Sequence, residues 1–226
     1  MLIEVIFGVF YIVIHYLTSV IDSFIHKHRY KLMSFAGGIS IAYILLSLLP
    51  ELYQGVEHLN NLLFLFILLG FTIIHLVEKY LYKHEKKKQL RKNLNEVHKI
   101  SILIYQIILG TLLVGFLSKS LIDGILFFIP TGFHTLIGST SLLELHSEIN
   151  KIERLLLYSS TLIGVLIALF FNLGIVITHI LLAIISGALL YMVIRESLPR
   201  GSKGAPTYFV EGTLIYTIVI IVTWTI

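Results

Sequence analysis

The long apolar stretches of this chain contain few ionisable side chains, and those few are the first candidates for chemistry. His134 lies inside such a stretch, shortly after Pro130. Placing a charged side chain at the centre of a bilayer costs about 2.5–3.5 kcal/mol of insertion free energy. Each ionisable residue in an apolar stretch is therefore a candidate functional residue. A proline in an apolar helix also frees a backbone carbonyl near it. We predict that His134 binds a metal ion or a proton; the alternative is a neutral histidine that hydrogen-bonds a neighbouring helix.

Three carboxylates lie at the ends of apolar stretches. Glu51 follows Pro50 directly, and Glu196 lies shortly before Pro199. Imidazole and carboxylate groups are ligands of divalent cations such as Zn²⁺, so we predict that both glutamates are gate carboxylates on a cation path. Solvation near the membrane surface, or for Glu196 pairing with a neighbouring arginine, is the alternative. Asp123 either lines an outer vestibule or stabilises a helix start through the macrodipole.

The other histidines of the apolar stretches are interpreted as structural. His15 and His179 are isolated polar residues in otherwise apolar segments, which favours a neutral, hydrogen-bonded role. His75 shares a helical face with Glu78, three residues later, but Glu78 falls at the edge of its stretch. His75 and His134 are expected at a similar depth, so a haem bound between them is an alternative to a metal-ion site.

Enzymatic chemistry has no support in the sequence. The chain contains no cysteine, which excludes a disulfide framework, a thiolate metal cluster and a cysteine nucleophile. It has no His-Glu-x-x-His motif, and residues 138–140, Gly-Ser-Thr, lack the adjacent base and turn context of a nucleophilic serine. We predict that the protein is not an enzyme.

Composition predicts the elements that position these residues. The 226 residues are 57% hydrophobic and 13% charged, with a mean hydropathy of +0.91. Soluble domains are about 45–50% apolar and about 25% charged, so a water-soluble globule is excluded. A helix crosses a bilayer with about 20 apolar residues. The breaks between apolar runs predict an all-α integral membrane protein with eight transmembrane helices near 2–22, 32–53, 61–82, 100–118, 121–146, 154–172, 175–197 and 207–226.

Charge distinguishes the two sides of the membrane. Every lysine and arginine except Lys119 falls in alternate connecting segments, near 22–32, 79–99, 147–154 and 195–206. By the positive-inside rule these segments are cytoplasmic, so both termini are expected outside. The second of them contains the predicted basic loop 83–99. Its basic run has no interleaved aromatic residues, so we predict contact with the lipid bilayer and not with nucleic acid.

Two segments of the chain echo each other. Gly38 is followed twelve residues later by Pro50, and Gly187 is followed at the same spacing by Pro199, with a tyrosine between glycine and proline in both. The first segment belongs to a span predicted to run outward and the second to a span predicted to run inward. The echo predicts a 3+2+3 inverted repeat, an architecture that recurs in transporters. Chance recurrence of glycine and proline in apolar helices is the alternative.

The same segments resemble a known family. Residues 35–38, Phe-Ala-Gly-Gly, followed by residues 48–52, Leu-Leu-Pro-Glu-Leu, resemble the second span of the ZIP (Zrt/Irt-like) metal transporters, and residues 186–199 are similar to the seventh. Ser47 stands where the family motif has a histidine. The chain looks most like a divergent bacterial-type branch of this family. The resemblance implies eight spans, termini outside the cell and a long cytoplasmic loop after span 3. It also implies transport of a divalent cation such as Zn²⁺, which would be a substrate and not a resident cofactor.

The ligand motifs of that family are altered in this chain. The span 4 pattern, His-Ser/Asn-x-x-Asp/Glu-Gly, aligns with 110–115, which lacks both ligands, or with 119–124, which keeps only Asp123. The span 5 pattern, His-Glu-x-Pro-His-Glu, aligns by its proline with 127–132, which has no ligand, or by its histidine with His134 and Ser139. The resemblance thus adds Ser139 to the predicted metal ligands, which are His134, Ser139, Asp123, Glu51 and Glu196.

These patterns predict one ZIP-like transmembrane domain, residues 1–226, that acts as a permease for zinc, manganese or iron with a reduced ligand set. The alternative is a ZIP-fold protein that moves no metal and serves as a membrane partner or small-solute carrier, which the loss of ligands favours. Small residues such as Gly37 and Gly38 permit close packing within one copy or between two, so a homodimer is compatible with the sequence. The apolar start without a basic n-region is compatible with a prokaryotic inner-membrane protein.

Overall fold

A computed structural model describes residues 1–84, 87–144, 150–171, 173–197 and 204–225. These residues are almost entirely helical, and none of them lies in a strand. The all-α fold class is therefore confirmed. The α-helices of the described ranges are α1 (Leu2–Val20), α2 (Asp22–Tyr43), α3 (Leu49–Leu59), α4 (Leu62–His84), α5 (Lys87–Lys119), α6 (Leu121–Glu144), α7 (Lys151–Phe170), α8 (Ile175–Met192) and α9 (Pro206–Trp224). Two π-helical segments, Ile44–Leu48 and Val193–Ser197, continue α2 and α8.

The apolar helices follow the segments predicted to span a bilayer. Two shorter apolar stretches, Leu2–Thr18 and Leu62–Val77, lie within the predicted first and third spans. Within the described ranges, six helical stretches are long and apolar enough to cross a membrane: Ser23–Leu59, Lys99–Lys119, Leu121–Ser139, Lys151–Phe170, Ile175–Arg195 and Pro206–Trp224. The fold is thus compatible with an integral membrane protein.

Two helices extend beyond the apolar segments that predicted them. The segment 83–99 was expected to be a loop, but α5 begins at Lys87 and continues without interruption to Lys119. Lysine, arginine, glutamine and leucine are good helix formers, so a polar run of them extends a helix into water. Similarly, α2 begins at Asp22 and bends at His28, whose φ of −111° and ψ of 15° are not helical. Hydropathy marks the apolar part of a helix and not its ends.

The two π-helical segments occupy matching positions in the echoed sequences. Ile44–Leu48 directly precedes the turn that contains Pro50, and Val193–Ser197 directly precedes the sequence that contains Pro199. A proline lacks an N–H and its ring collides with the carbonyl four residues earlier, so a helix that continues through proline must widen or bend. At Pro50 a wider π turn relieves that collision. Such turns are frequent at functional sites.

Three pairs of helices approach each other at glycines. In one of them, α5 with α7, Gly110 and Gly164 each face a backbone carbonyl of the opposite helix. α2 packs along α9, where a Cβ atom on Gly38 would collide with the Phe209 carbonyl and one on Gly212 with the Phe35 carbonyl. α4 packs along α8, where Gly70 and Gly187 meet backbone carbonyls of the opposite helix in the same way. Small residues let helix backbones touch, which supplies the van der Waals contact that drives association of apolar helices. These contacts fix α2 against α9 and α8 against α4.

α5 and α6 lie at the centre of the bundle. α6 contacts α1, α2 and α5, and α5 also contacts α7 and α8. Fully buried apolar side chains from four helices fill the space between them, among them Leu48, Leu112, Phe127 and Leu189. The core therefore lies where α2, α5, α6 and α8 meet.

Candidate functional site

The four predicted metal ligands whose side chains the structure describes have four different partners. Glu51 pairs with Lys119, and Asp123 bonds Ser120. The other two have separate partners, Met192 for His134 and His15 for Ser139. The backbone of Glu196 lies in the second π-helical segment, but its side chain is outside the part of the chain that the structure describes.

Glu51 lines an open cavity between α3, α5 and α8, which we call the vestibule. Its volume is ≈ 360 Å³, and its ionisable lining residues are Glu51, Glu57, His58, Lys119 and His179. The Lys119 ammonium contacts the Glu51 carboxylate and so links α5 to α3. The lysine side chain is 45% exposed and the glutamate 16%, so the pair lies at the rim of the protein interior. Two carboxylates against one lysine give the vestibule a net negative charge at neutral pH.

Asp123 lies in the first turn of α6 and bonds Ser120, the residue that caps the helix. The Ser120 hydroxyl donates to Asp123 Oδ2 at 2.7 Å and accepts from the Asp123 backbone N–H at 2.9 Å. The first N–H groups of a helix have no partner within the helix, so a Ser/Asp pair at its start stabilises it. This supports the helix-start interpretation of Asp123.

His134 is buried on α6 between α5 and α8. Its Nε2 atom lies 3.4 Å from Met192 Sδ, and its ring meets the edge of the Tyr105 ring with centroids 5.8 Å apart. The Tyr105 hydroxyl is also buried and has no hydrogen-bond partner among the described residues. An imidazole and a thioether offer only two soft or borderline ligands for a cation.

Ser139 forms a hydrogen bond with His15, a buried histidine of α1. Its hydroxyl lies 2.7 Å from His15 Nδ1 and 2.7 Å from the Thr135 carbonyl. Since a carbonyl only accepts, the hydroxyl donates to Thr135 and accepts from His15, which places the proton of this ring on Nδ1. His15 is 1% exposed and stacks on Tyr158 with centroids 5.1 Å apart. Its Nε2 has no hydrogen-bond partner within the described ranges.

A second set of buried polar groups had not been predicted. Gln106 of α5 donates to Thr135 Oγ1 at 2.8 Å and accepts from Thr161 of α7 at 2.6 Å. We call these three groups, together with the hydrogen-bonded pairs His15–Ser139 and Tyr11–Thr131, the polar seam. Its hydroxyls on α6 recur every four residues, which is one helical face. That spacing was available in the sequence.

An apolar layer separates the vestibule from the polar seam. Along α5, Leu109, Leu112 and Leu113 are fully buried between Gln106 and Lys119. At 1.5 Å per residue those two polar residues are about 20 Å apart along the helix. These packed leucines therefore close the vestibule on the side that faces the polar seam.

Neither a cluster of metal-binding side chains nor a known relative indicates what the described part of the chain binds. Among the described residues, no three histidine, aspartate or glutamate side chains lie close enough together to hold a metal ion. Comparison with known proteins finds no family model that matches the chain and no curated protein that matches its sequence. Function therefore has to be inferred from the contacts of the chain itself.

Proposed function

We propose that the protein is a membrane permease with eight spans and a 3+2+3 inverted repeat, resembling the ZIP metal transporters. Its substrate is a divalent metal cation that enters from the vestibule. Both termini lie outside, and the basic segments face the cytoplasm. The observation that carries the proposal is the correspondence between two of the three glycine contacts, Gly38 with Gly212 and Gly187 with Gly70.

An inverted repeat accounts for that correspondence. The first repeat comprises α1, the α2–α3 helix and α4, and the second comprises α7, α8 and α9. Gly38 lies in the second span of the first repeat and packs on the third span of the second, α9. Gly187 lies in the second span of the second repeat and packs on the third span of the first, α4. Exchanging the repeats converts one contact into the other, as a two-fold axis in the membrane plane requires.

The π-helical segments support the same axis. They precede Pro50 and Pro199, the prolines that end the echoed segments. Interrupted helices at the repeat interface are where transporters of this architecture expose groups to a substrate. The two π-helical segments thus mark the helices expected to rearrange.

The vestibule supplies a starting point for a cation path. Its carboxylates attract a cation, and Lys119 competes for Glu51. The apolar layer below has to open before an ion reaches His134. Alternating access requires two states, each closed on one side of the membrane. The structure has the properties of one in which the path from the vestibule is closed.

A second candidate is a ZIP-fold protein without metal transport. The observation that favours it is the apolar packing of Leu112 and Phe127, which are fully buried on the two helices that carry the ligands in the family resembled. In this reading the vestibule is a surface feature and the polar seam is a structural element of the bundle.

Uptake into proteoliposomes tests the permease. The purified protein is reconstituted into vesicles that contain a metal-sensitive dye, and Zn²⁺, Mn²⁺, Fe²⁺ and Cd²⁺ are added outside with and without a pH gradient. Uptake of at least one ion above that of protein-free vesicles is expected. Folded protein that takes up none of the four contradicts the permease and leaves the second candidate.

A further inference from the structure

Two histidines meet in the vestibule. His58 is exposed near the end of α3, and His179 is buried in the first turns of α8. Their ring centroids are 5.9 Å apart, with the ring planes inclined by 46°. Both rings line the same cavity as Glu57. An open, negatively charged cavity therefore contains two imidazoles within reach of each other.

The bonding of His179 leaves one nitrogen available as a ligand. Its Nδ1 lies 2.8 Å from the Ile175 carbonyl, which only accepts, so Nδ1 carries the proton. Nε2 then has a free lone pair. Metal-binding histidines commonly donate their other ring N–H to a backbone carbonyl in this way, because the bond sets both the tautomer and the ring orientation.

Packing against α3 holds the His179 ring in place. The ring lies over Gly55, where a Cβ atom would collide with His179 Cδ2, the carbon bonded to Nε2. A glycine at this position is therefore needed for the observed ring position. His58 is one turn further along α3, so the helix that seats one ring also carries the other.

The separation of the rings suits a shared ion. Two imidazoles on one tetrahedral zinc ion, with Zn–N distances of about 2.0–2.1 Å, have ring centres about 5 Å apart. A small rotation of the exposed His58 side chain covers the difference from 5.9 Å. Water molecules complete the coordination, since the cavity of ≈ 360 Å³ has room for them.

We propose that His58 and His179 form a binding site for a divalent transition-metal ion in the vestibule. Neutral imidazoles select ions such as Zn²⁺, Cu²⁺, Ni²⁺ and Co²⁺ over Mg²⁺ and Ca²⁺. Two protein nitrogens bind less tightly than the three or four of a structural zinc site, which suits a position that an ion has to leave again. Only the role of this site in transport rests on the proposed function.

Cu²⁺ is the probe, because its electron paramagnetic resonance spectrum reports the number of coordinated nitrogens. Cu²⁺ is titrated into the detergent-solubilised full chain, with Zn²⁺ as competitor. We expect one ion with two nitrogen ligands. The variants His58→Ala and His179→Gln should each weaken its binding on the order of 10–100-fold, and the double variant no further than that.

His28→Ala is the matched control. His28 makes the same kind of bond from Nδ1 to the carbonyl four residues earlier, at 3.1 Å, but does not line the vestibule. Its removal should leave the two-nitrogen site intact. A spectrum and affinity unchanged in either His58→Ala or His179→Gln overturns the proposal. His58 is exposed, so its variant tests the site without disturbing the core.

Gly55→Ala tests the position of the His179 ring without removing either histidine. It keeps both histidines but displaces the His179 ring, so Cu²⁺ binding should fall as in His179→Gln; wild-type binding overturns the proposed ring position. Uptake measured on the same preparations distinguishes the two proposals. Binding that depends on both histidines without uptake contradicts the permease alone, and uptake without such binding contradicts the vestibule site alone.

Discussion

The hydroxyl of Ser139 lies 2.7 Å from His15 Nδ1, and this contact joins α6 to α1 in the interior of the bundle. The serine donates its own proton to the Thr135 carbonyl and so acts on His15 only as an acceptor. A buried ring N–H without an acceptor is costly in an apolar environment. Ser139 is therefore a hydrogen-bond partner of His15 in the bundle interior, and its prediction as a metal ligand stays a prediction.

Ser139→Ala should destabilise the protein. It removes the only acceptor that the described residues offer His15 Nδ1, and an unsatisfied buried donor costs about 1–3 kcal/mol. Thermal unfolding in detergent measures the loss as a lower Tm. Ser159→Ala is the matched control, since its exposed hydroxyl also bonds a carbonyl of its own helix, at 2.7 Å from Leu155 O. Equal midpoints for the two variants contradict the role assigned to Ser139.

Gly38→Ala and Gly187→Ala should destabilise the protein by similar amounts. In each case the added methyl group meets backbone of the opposite helix, which cannot rotate away, and overpacking costs about 1–3 kcal/mol. Gly138→Ala is the control, because nothing lies within 4 Å of a Cβ atom there. That variant should be neutral or stabilising by up to about 1 kcal/mol, because alanine is the better helix former. A large loss at one of the two paired glycines but not at the other contradicts their equivalence.

Hydropathy predicted the helices of this fold well because a bilayer-compatible helix needs a long apolar run. It missed the helical extension of α5 from Lys87, since lysine and arginine are good helix formers and a helix need not end where its apolar face does. The glycine-to-proline spacing indicated the two corresponding segments. It did not indicate which helices the glycines contact, because that depends on packing between distant parts of the chain.

The site was less predictable than the fold. Residue type and depth selected His134 and Glu51, and the structure gives both specific partners, Met192 and Lys119. His179 was set aside because a lone histidine in an apolar span is usually structural. Its relation to His58 arises only when α3 folds against α8, which no local pattern encodes. Gln106 was missed for the same reason, since its partners lie on two other helices.

Single cysteines should report the proposed topology. The chain has no native cysteine, so Gln54→Cys and Lys83→Cys each introduce one thiol on an exposed residue. A membrane-impermeant maleimide added to intact cells should label Gln54→Cys and should reach Lys83→Cys only after permeabilisation. Labelling of both from the same side means that α4 does not cross the membrane, which contradicts the eight-span arrangement.

His134→Ala should reduce metal uptake by at least about tenfold if the ion passes between α5, α6 and α8, since a lost metal ligand costs that much or more. Uptake is measured in proteoliposomes after the variant has been shown to fold. His75→Ala is the control, because His75 contacts Tyr191 at 5.6 Å on the other side of α8, in the contact with α4. Uptake that survives His134→Ala undiminished leaves the permease intact and excludes His134 from its path.

The Lys119–Glu51 pair should control access to the vestibule. Lys119→Gln frees the Glu51 carboxylate for a cation, so the apparent affinity for Zn²⁺ uptake should rise, whereas Glu51→Gln should lower it. A partly exposed ion pair contributes only about 0–1 kcal/mol, so neither variant should change Tm much.

Exchanging the two charges in a double variant, Glu51→Lys with Lys119→Glu, decides how the pair acts. If the salt bridge itself is the gate, the exchanged pair restores the wild-type affinity for uptake. If Glu51 binds the ion, the double variant behaves like Glu51→Gln, because a lysine then occupies the position of the ligand. Since Glu51 lines the same cavity as His58 and His179 and is the less exposed member of the pair, we expect the second result.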